Sequence, residues 1–228
     1  METISKSSLG TFESCKRKYF YSLIGFKTAP NEYMKYGLDF HNIIEKYNKN
    51  LIKNDEKDII VNEEYKGNLE SYKKFLNELV NMGYKRIPYA CEFPISYNQY
   101  FGFIDVIFSN DNGEYLIADF KTIPKFTEFS EDKYKLELTF YKYVFSNVKN
   151  IPLDKIKTAL VRFEQKGFMS DFHLVDIDEI DITYYMNIAE NMKNFINNST
   201  GKIEEFPMVD VSKSSSTCKY CDYYKICK

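Results

Sequence analysis

The feature that most constrains this chain is the position of four of its five cysteines. Cys218, Cys221 and Cys227 follow a C-x2-C-x5-C pattern close to the end of the sequence, and Cys15 lies near its beginning. Three cysteines at such short spacing predict a metal site. Three thiolates leave one coordination position open, and Cys15 is the natural fourth ligand. A metal there would hold together the first and last segments of the chain, which otherwise have no reason to meet.

The number of ligands leaves the metal undecided. Zinc accepts four thiolates in a tetrahedron, and a [4Fe–4S] cluster also takes four. The alternative is a disordered tail with reduced surface cysteines, which the clustered spacing disfavours. Cys91 lies in a strand-like stretch and is expected to pack as a small hydrophobic residue.

Composition indicates a folded chain with a sizeable core. Hydrophobic residues make up 44% of the 228 residues and aromatic residues 17%, which excludes a disordered or fibrous protein. The formal net charge of −2 neither indicates nor excludes nucleic-acid binding, because local patches steer binding more than net charge does. No apolar signal segment follows Met1, and no apolar run approaches the ~20 residues that span a bilayer. We therefore expect a cytoplasmic protein with no membrane contact.

Several segments carry apolar residues at helical spacing. Ser5 to Ser8 supply N-cap residues for a short first helix, with Cys15 on it or at its end. Longer helices are predicted over residues 31–54, 64–83, 131–147 and 179–198.

Between these helices the periodicity changes to that of strands. Two hairpin turns are indicated, at Asn110 to Gly113 and at Lys166-Gly167. Strands are predicted over residues 89–96, 101–108, 115–122, 158–164 and 172–177. This order predicts a mixed α/β (α+β) fold with one central sheet, and no linker supports a second domain within 1–228.

Two neighbouring strands carry a candidate acidic site. Asp105 interrupts an apolar strand in which Phe103, Asp105 and Ile107 should share one face, and a buried carboxylate is costly unless it is paired or binds metal. Asp119 and Lys121, two residues apart, should point the same way. The carboxylates could then hold Mg²⁺ or Mn²⁺ while the lysine orients a water. The alternative is a cross-strand charge pair with no chemical role.

Other polar residues are weaker candidates by themselves. Glu92 is a further carboxylate in a strand, and Glu137 and Tyr141 share one helix face at i, i+4 spacing. His41 lies near the start of a helix, where a single histidine is more often structural or solvated than a ligand.

Taken together, these motifs resemble the RecB-type nucleases of the PD-(D/E)xK superfamily that carry an iron–sulfur cluster. The matching elements occur in order along nearly the whole chain: Ser7-x-Leu9-x-x-Phe12-x-x-Cys15-Lys16-Arg17-Lys18-Tyr19, Gly37 to His41, Gly102 to Ile107, Asp119 to Thr122, Glu137 to Tyr141, and the final C-x2-C-x5-C. By size the chain is most similar to the single-domain CRISPR-associated exonucleases and to compact viral nucleases. One position departs from the pattern, because Glu137 stands where the family has Gln.

The resemblance implies a fold and a role for each matching residue. It implies a restriction-endonuclease-like core with a central mixed sheet flanked by helices. His41, Asp105, Asp119 and the Phe120 carbonyl would bind Mg²⁺ or Mn²⁺, and Lys121 would be the catalytic lysine. Glu92 and Tyr141 would complete the catalytic set. Cys15, Cys218, Cys221 and Cys227 would hold a [4Fe–4S] cluster between segments 1–30 and 207–228.

The implied activity is that of a Mg²⁺- or Mn²⁺-dependent DNA exonuclease that prefers single-stranded ends. CRISPR adaptation, an antiviral defence with integrase proteins as partners, and recombination or repair all fit this activity. A second hypothesis is a nuclease-fold module that binds DNA or a partner protein with weak or absent catalysis, which the Glu137 departure favours. A third, a zinc-ribbon regulatory protein, leaves Asp105, Asp119 and Lys121 unexplained.

Overall fold

The computed structural model describes residues 3–26, 29, 31–54, 59–123, 128–164, 170–209, 218 and 221–227. Within these ranges the helices are α1 (Lys6–Ser14), α2 (Lys16–Leu23), α3 (Glu32–Ile52), α4 (Glu63–Asn81), α5 (Glu128–Lys149) and α6 (Glu179–Asn198). The strands are β1 (Ala90–Tyr97), β2 (Tyr100–Ser109), β3 (Tyr115–Thr122), β4 (Ile156–Phe163) and β5 (Ser170–Leu174). The predicted order of elements is confirmed. The predicted Lys166-Gly167 turn lies outside the described residues.

The five strands form one mixed sheet in the order β1-β2-β3-β4-β5. The first three strands form an antiparallel meander, β3 and β4 are parallel, and β5 pairs antiparallel with β4. A parallel pair needs a long crossover, and α5 lies within the connection between β3 and β4. The predicted mixed α/β fold with a central sheet flanked by helices is therefore confirmed.

Each face of the sheet is covered by its own hydrophobic cluster. On one face Ile104, Ile117 and Leu160 pack with apolar residues of α1, α5 and α6. On the other face Ala118 and Val161 pack with the apolar stripes of α3 and α4. Because β3 is covered on both faces, its residues from 116 to 120 are continuously buried rather than alternating.

Local capping interactions determine where several helices begin. Ser5 caps α1 through a reciprocal capping box with Ser8, as its N-cap position predicts. Asn31 accepts a hydrogen bond from the Met34 N–H at the start of α3. Cys15 ends α1 and precedes α2 in an extended conformation, so it lies at a corner between two helices. Among the described helices, none is both long and apolar enough to cross a membrane.

Candidate active site

Asp119 lies fully buried near the end of β3, the strand at the centre of the sheet. Its Oδ1 accepts a 2.9 Å hydrogen bond from Lys6 Nζ. Its Oδ2 lies 2.6 Å from Lys121 Nζ, an ion pair outside hydrogen-bond geometry. Asp119 and Lys121 therefore point to the same side of the strand, as their two-residue spacing predicts.

Lys121 is held from three sides. Besides Asp119, its ammonium donates a 2.8 Å hydrogen bond to Glu137 Oε2 on α5. It also lies 4.7 Å from the centre of the Tyr134 ring, within the range of a cation–π interaction. These contacts fix the position of the ammonium before any substrate binds.

Asp105 lies on β2, directly before the stretch from Val106 to Ser109 that pairs with β3. Its Oδ2 accepts a 2.8 Å hydrogen bond from the Phe120 N–H. Asp105 has no paired residue in the ladder with β1 or in the ladder with β3. The predicted alternation is wrong on this strand. Phe103 is 47% exposed, whereas Ile104 and Ile107 pack in the same cluster. The side-chain alternation therefore shifts by one residue at Asp105 and directs its carboxylate toward β3.

His41 reaches the same place from α3. Its Nδ1 lies 3.9 Å from Asp105 Oδ2, and its ring is 6.0 Å from the Phe120 ring between centroids. One turn earlier, a Cβ added at Gly37 would lie 3.6 Å from Thr122 Cβ, in van der Waals contact. The start of α3 therefore lies against the end of β3, at a distance that would also accept a small side chain at position 37.

Glu92 faces the site from β1, at the position opposite Asp105. Its φ of 45° is in the left-handed region, which is strained for a residue other than glycine. Burial raises the pKa of Glu92 to about 7, and the carboxylates of Asp105 and Glu45 add to the rise. Strained backbone and a shifted pKa are both common at functional sites.

An open groove of about 580 Å³ passes beside these groups. Apolar residues at the start of α3 form part of its lining, and charged or polar residues form the rest. The lining residues are Lys6, Met34, Gly37, Leu38, His41, Asn42, Glu45, Glu92 and Asp105.

Burial and neighbouring charges shift the pKa values of Asp119 and the two lysines in opposite directions. Burial alone would raise the pKa of Asp119, but the ammonium groups of Lys121 and Lys6 lower it well below its ordinary value. Burial raises the pKa of Asp105, and the charge of Asp119 raises it further. Burial alone would lower the pKa of both lysines, yet the carboxylates, Asp119 first, raise it. The site is therefore a buried ion cluster with two ammonium groups around an ionised Asp119.

Lys6 is a site residue that the sequence analysis did not predict. In the sequence it is one residue of the N-cap segment of α1, distant from every acidic motif. One weak signal exists, because a cation in the first turn of a helix opposes the helix dipole and needs compensation from elsewhere. Glu45, which lines the groove and pairs with Lys49, was also missed.

Glu137 and Tyr141, the i, i+4 pair on α5, both face this cluster. Glu137 Oε2 lies 2.8 Å from Lys121 Nζ and 3.7 Å from Lys6 Nζ. Lys6 Nζ is also 4.7 Å from the centre of the Tyr141 ring. The structure therefore places every predicted acidic-site residue around one end of the sheet.

A model of the PD-(D/E)XK nuclease superfamily matches residues 3–228. The chain belongs to this superfamily. No curated protein matches it. Among solved structures, a protein from Eubacterium rectale named "Putative exonuclease" is 14% identical, with a TM-score of 0.64, over 100% of this chain and 88% of its own. That likeness shows the fold. The protein SSO0001 is 18% identical, with a TM-score of 0.44, over 99% of this chain and 85% of its own.

Members of this superfamily use Mg²⁺ or Mn²⁺, and the donor chemistry at this site fits such an ion. Asp105 and Asp119 offer carboxylate oxygens, which hard divalent cations prefer, and His41 lies beside them. Asp119 already holds two positive charges at its two oxygens. Across the described residues, no group of three or more His, Cys, Asp or Glu side chains is arranged to hold a metal as it stands. An ion at Asp119 would therefore compete with the ammonium groups of Lys6 and Lys121 for its oxygens.

The predicted cysteine set lies at the meeting point of the two chain ends. All five cysteines are among the described residues, and each is a free thiol. Burial raises the pKa of the Cys227 thiol, and Cys15, Cys221 and Cys218 add to the rise. As they stand, these four described thiols do not form a metal-binding group. Cys91 instead packs against the core cluster beneath α3 and α4, as predicted.

The expectation that the chain ends have no other reason to meet is wrong. The Tyr21 hydroxyl donates a 3.1 Å hydrogen bond to the Ile226 carbonyl, and the Tyr21 ring stacks on Tyr223 at 5.3 Å. Arg17 Nε donates a 2.6 Å hydrogen bond to the Phe206 carbonyl. Aromatic packing and hydrogen bonds therefore join the two ends in addition to any contribution of the cysteines.

Proposed function

We propose that this PD-(D/E)XK protein is a Mg²⁺- or Mn²⁺-dependent deoxyribonuclease that degrades DNA from single-stranded ends. The observation that carries the proposal is the Asp119–Lys121 pair, which lies beside Asp105 where an open groove reaches the end of the sheet. Such ends arise in CRISPR adaptation and in recombination and repair, where we expect the enzyme to act.

Hydrolysis of a phosphodiester requires an attacking water and stabilisation of the charge that develops on the phosphate. Lys121 is suited to orient the water, because Asp119 and Glu137 hold its ammonium in place. Asp105, Asp119, His41 and the Phe120 carbonyl would hold the divalent ion. When bound, such an ion neutralises phosphate charge and makes water more acidic.

Glu92 and Tyr141 complete the proposed catalytic set from opposite sides. Glu92 lines the groove opposite Asp105, where its carboxylate can contact water bound in the site. Tyr141 lies under the Lys6 ammonium and limits where that group can move.

The rim of the groove supports a preference for unpaired bases. Met34 and Leu38, which line the groove, are exposed, and Tyr33, which precedes Met34 in the sequence, is 68% exposed. Unpaired bases stack on such aromatic and apolar surfaces, whereas paired bases are already stacked in the duplex.

Cys15, Cys218, Cys221 and Cys227 are proposed to bind a [4Fe–4S] cluster with a structural role. Their thiols are the ligand type that the cluster requires, and they lie where the two chain ends meet. Segments 1–30 and 207–228 would then form one cluster-binding region of a single nuclease domain over 1–228.

A cleavage assay with three DNA substrates tests the nuclease proposal. The substrates are an end-labelled single strand, a duplex of the same sequence and a circular single strand, each incubated with Mn²⁺ and, separately, with EDTA. We expect rapid loss of linear single strands and little loss of circles. Asp119→Asn and Lys121→Gln should lower the rate by at least about 100-fold. Lys157→Met, an exposed change on the adjacent strand, should leave it unchanged. Full activity in either site variant would overturn the proposal.

A second candidate is a DNA-binding module without catalysis. One observation favours it: both oxygens of Asp119 are occupied by lysines, and no ready metal-binding group exists among the described residues. This candidate predicts tight binding of single-stranded DNA, with no Mn²⁺-dependent cleavage by the wild-type protein.

A further inference from the structure

Lys6 shares the most buried carboxylate of the active site with Lys121. Its Nζ lies 2.9 Å from Asp119 Oδ1 and 3.7 Å from Glu137 Oε2, and its side chain lines the groove. We propose that Lys6 is a second catalytic lysine, which leaves Asp119 when a divalent ion binds and then contacts the scissile phosphate. This inference rests on the proposed nuclease function.

Hydrogen bonds and core contacts fix the backbone around Lys6, and this fixed backbone directs its side chain into the active site. The Ile4 N–H donates a 2.8 Å hydrogen bond to the Gln99 carbonyl, and the Phe101 N–H donates a 3.0 Å bond to the Ile4 carbonyl. Ser5 then caps α1, and Leu9 anchors the helix in the core. Lys6 therefore projects from a segment bound to β2 on one side and to the core on the other.

The position of Lys6 on its helix is unfavourable for the helix itself. It is the first residue of α1, where the positive end of the helix dipole disfavours a cation, and no acidic residue lies in that turn. The compensation comes from active-site groups, with Asp119 first and the Tyr141 ring also in contact with the ammonium. A lysine whose charge depends on the site in this way is suited to act within it.

Of the two lysines on Asp119, Lys6 is the one placed to leave. Lys121 has a second short contact, at 2.8 Å to Glu137, whereas the second carboxylate contact of Lys6 is 3.7 Å long. The Lys6 side chain is also more exposed, at 25% against 15% for Lys121. A divalent ion needs an oxygen of Asp119. Moving Lys6 away from Oδ1 breaks the one short carboxylate contact of that ammonium, whereas Lys121 has two short contacts that hold it in place.

The displaced ammonium would then face the incoming substrate. The groove beside it already contains Asp105, Glu92 and Glu45, so a phosphate entering there meets several negative charges. Lys6 is the lysine among the described residues that line this groove, and a charge-assisted contact from it to a phosphate oxygen offsets that repulsion. The ammonium would thus exchange one anion, Asp119, for another, the phosphate.

Two measurements on Lys6→Met test the exchange. The first is Mn²⁺ binding to the protein without DNA, measured by calorimetric titration. The second is the single-turnover rate of single-stranded DNA cleavage at saturating Mn²⁺. Lys6→Arg retains the charge, and Lys133→Met is the matched control, because Lys133 also approaches Glu137, at 3.9 Å, but is 54% exposed.

We expect Lys6→Met to bind Mn²⁺ at least about threefold more tightly, since no ammonium has to be displaced, and to cleave at least about tenfold more slowly. Lys6→Arg should recover most of the rate, and Lys133→Met should match the wild type. Tighter Mn²⁺ binding with an unchanged saturated rate would make Lys6 a competitor of the metal and would overturn the proposal. Weaker Mn²⁺ binding, or no recovery in Lys6→Arg, would show a structural role and would also overturn it.

Two further outcomes separate a failure of the proposed role of Lys6 from a failure of the proposed nuclease function. If Lys6→Met does not fold, Lys6→Gln replaces it, because its amide can still donate to Asp119. If the wild type cleaves no DNA, the proposed nuclease function fails. The Mn²⁺ titration still decides the exchange in that case, since unchanged affinity in the variant would exclude it.

Discussion

Lys121 Nζ donates a 2.8 Å hydrogen bond to Glu137 Oε2, which ties the proposed catalytic lysine to α5. The motif that the sequence resembles predicts Gln at the position of Glu137, and the structure gives this carboxylate a definite partner. In Glu137→Gln the amide oxygen can still accept this bond, so we expect single-turnover cleavage to stay within about tenfold of the wild type, or about 1.4 kcal/mol.

Glu137→Leu should be far more damaging, because the ammonium then keeps a single carboxylate partner in its buried site. We expect a loss of at least about 100-fold in the same assay. Glu131→Gln, an exposed change on the same helix, is the control. Equal rates for Glu137→Leu and the wild type would show that Asp119 alone positions Lys121.

Gly102 determines how closely β2 approaches α5. A Cβ at this position would lie 3.0 Å from Phe140 Cε1 and 3.6 Å from Tyr141 Cε1. Gly102→Ala should therefore displace the Phe140 ring and lower the free energy of unfolding by about 1–3 kcal/mol. Gly10→Ala, in α1 with open space around it, should instead stabilise the chain by about 0.5–1 kcal/mol. Denaturant unfolding of both variants measures whether the free energy of unfolding falls in Gly102→Ala and rises in Gly10→Ala.

Asp181 contributes to stability in a pH-dependent way. Burial alone would raise its pKa, but hydrogen bonds from Lys135, 2.8 Å away, and from the Asp178 N–H lower it below its ordinary 3.8. A carboxyl with a lowered folded pKa stabilises the chain above that ordinary value, and the stabilisation disappears as the pH falls through the folded pKa.

We therefore expect Asp181→Ala to cost about 1 kcal/mol at pH 7 and progressively less below about pH 4. Denaturant unfolding at several pH values measures this. Glu190→Gln, which removes an exposed pair with Lys193, should cost less than about 0.5 kcal/mol. A cost for Asp181→Ala that does not change with pH would exclude the charge as its origin.

The cysteine set makes a prediction about iron. Cys227→Ser should lose most of the bound iron and sulfide and the broad absorbance near about 400 nm that a cluster produces. Cys91→Ser is the internal control, because Cys91 packs against the core and should leave the iron content unchanged. Zinc in the wild-type protein, in place of iron, would contradict the cluster assignment.

Loss of the metal should not separate the chain ends completely. The Tyr21 hydroxyl bond to Ile226 and the Tyr21–Tyr223 stack remain in Cys227→Ser. We expect the variant to melt earlier than the wild type and still to unfold cooperatively, as calorimetry can show. Complete unfolding on loss of the cluster would mean that these contacts are too weak to act alone.

The sequence by itself determined the order of the elements and most of the acidic site. Apolar periodicity is a local property, so helices such as α3 and strands such as β3 could be predicted within a few residues of their observed ends. The same holds for Asp119 and Lys121, because a two-residue offset in a strand places two side chains on one face.

Only the tertiary structure decided what joins these elements across long distances. Lys6 reaches Asp119 across 113 residues, and no local pattern encodes such a contact. The shift in side-chain alternation at Asp105 depends on how β2 pairs with both neighbours, so strand periodicity alone wrongly predicted one shared face for Phe103 and Ile107. The ends of the chain meet through aromatic packing as well as cysteines, because packing depends on shape in three dimensions rather than on spacing along the chain.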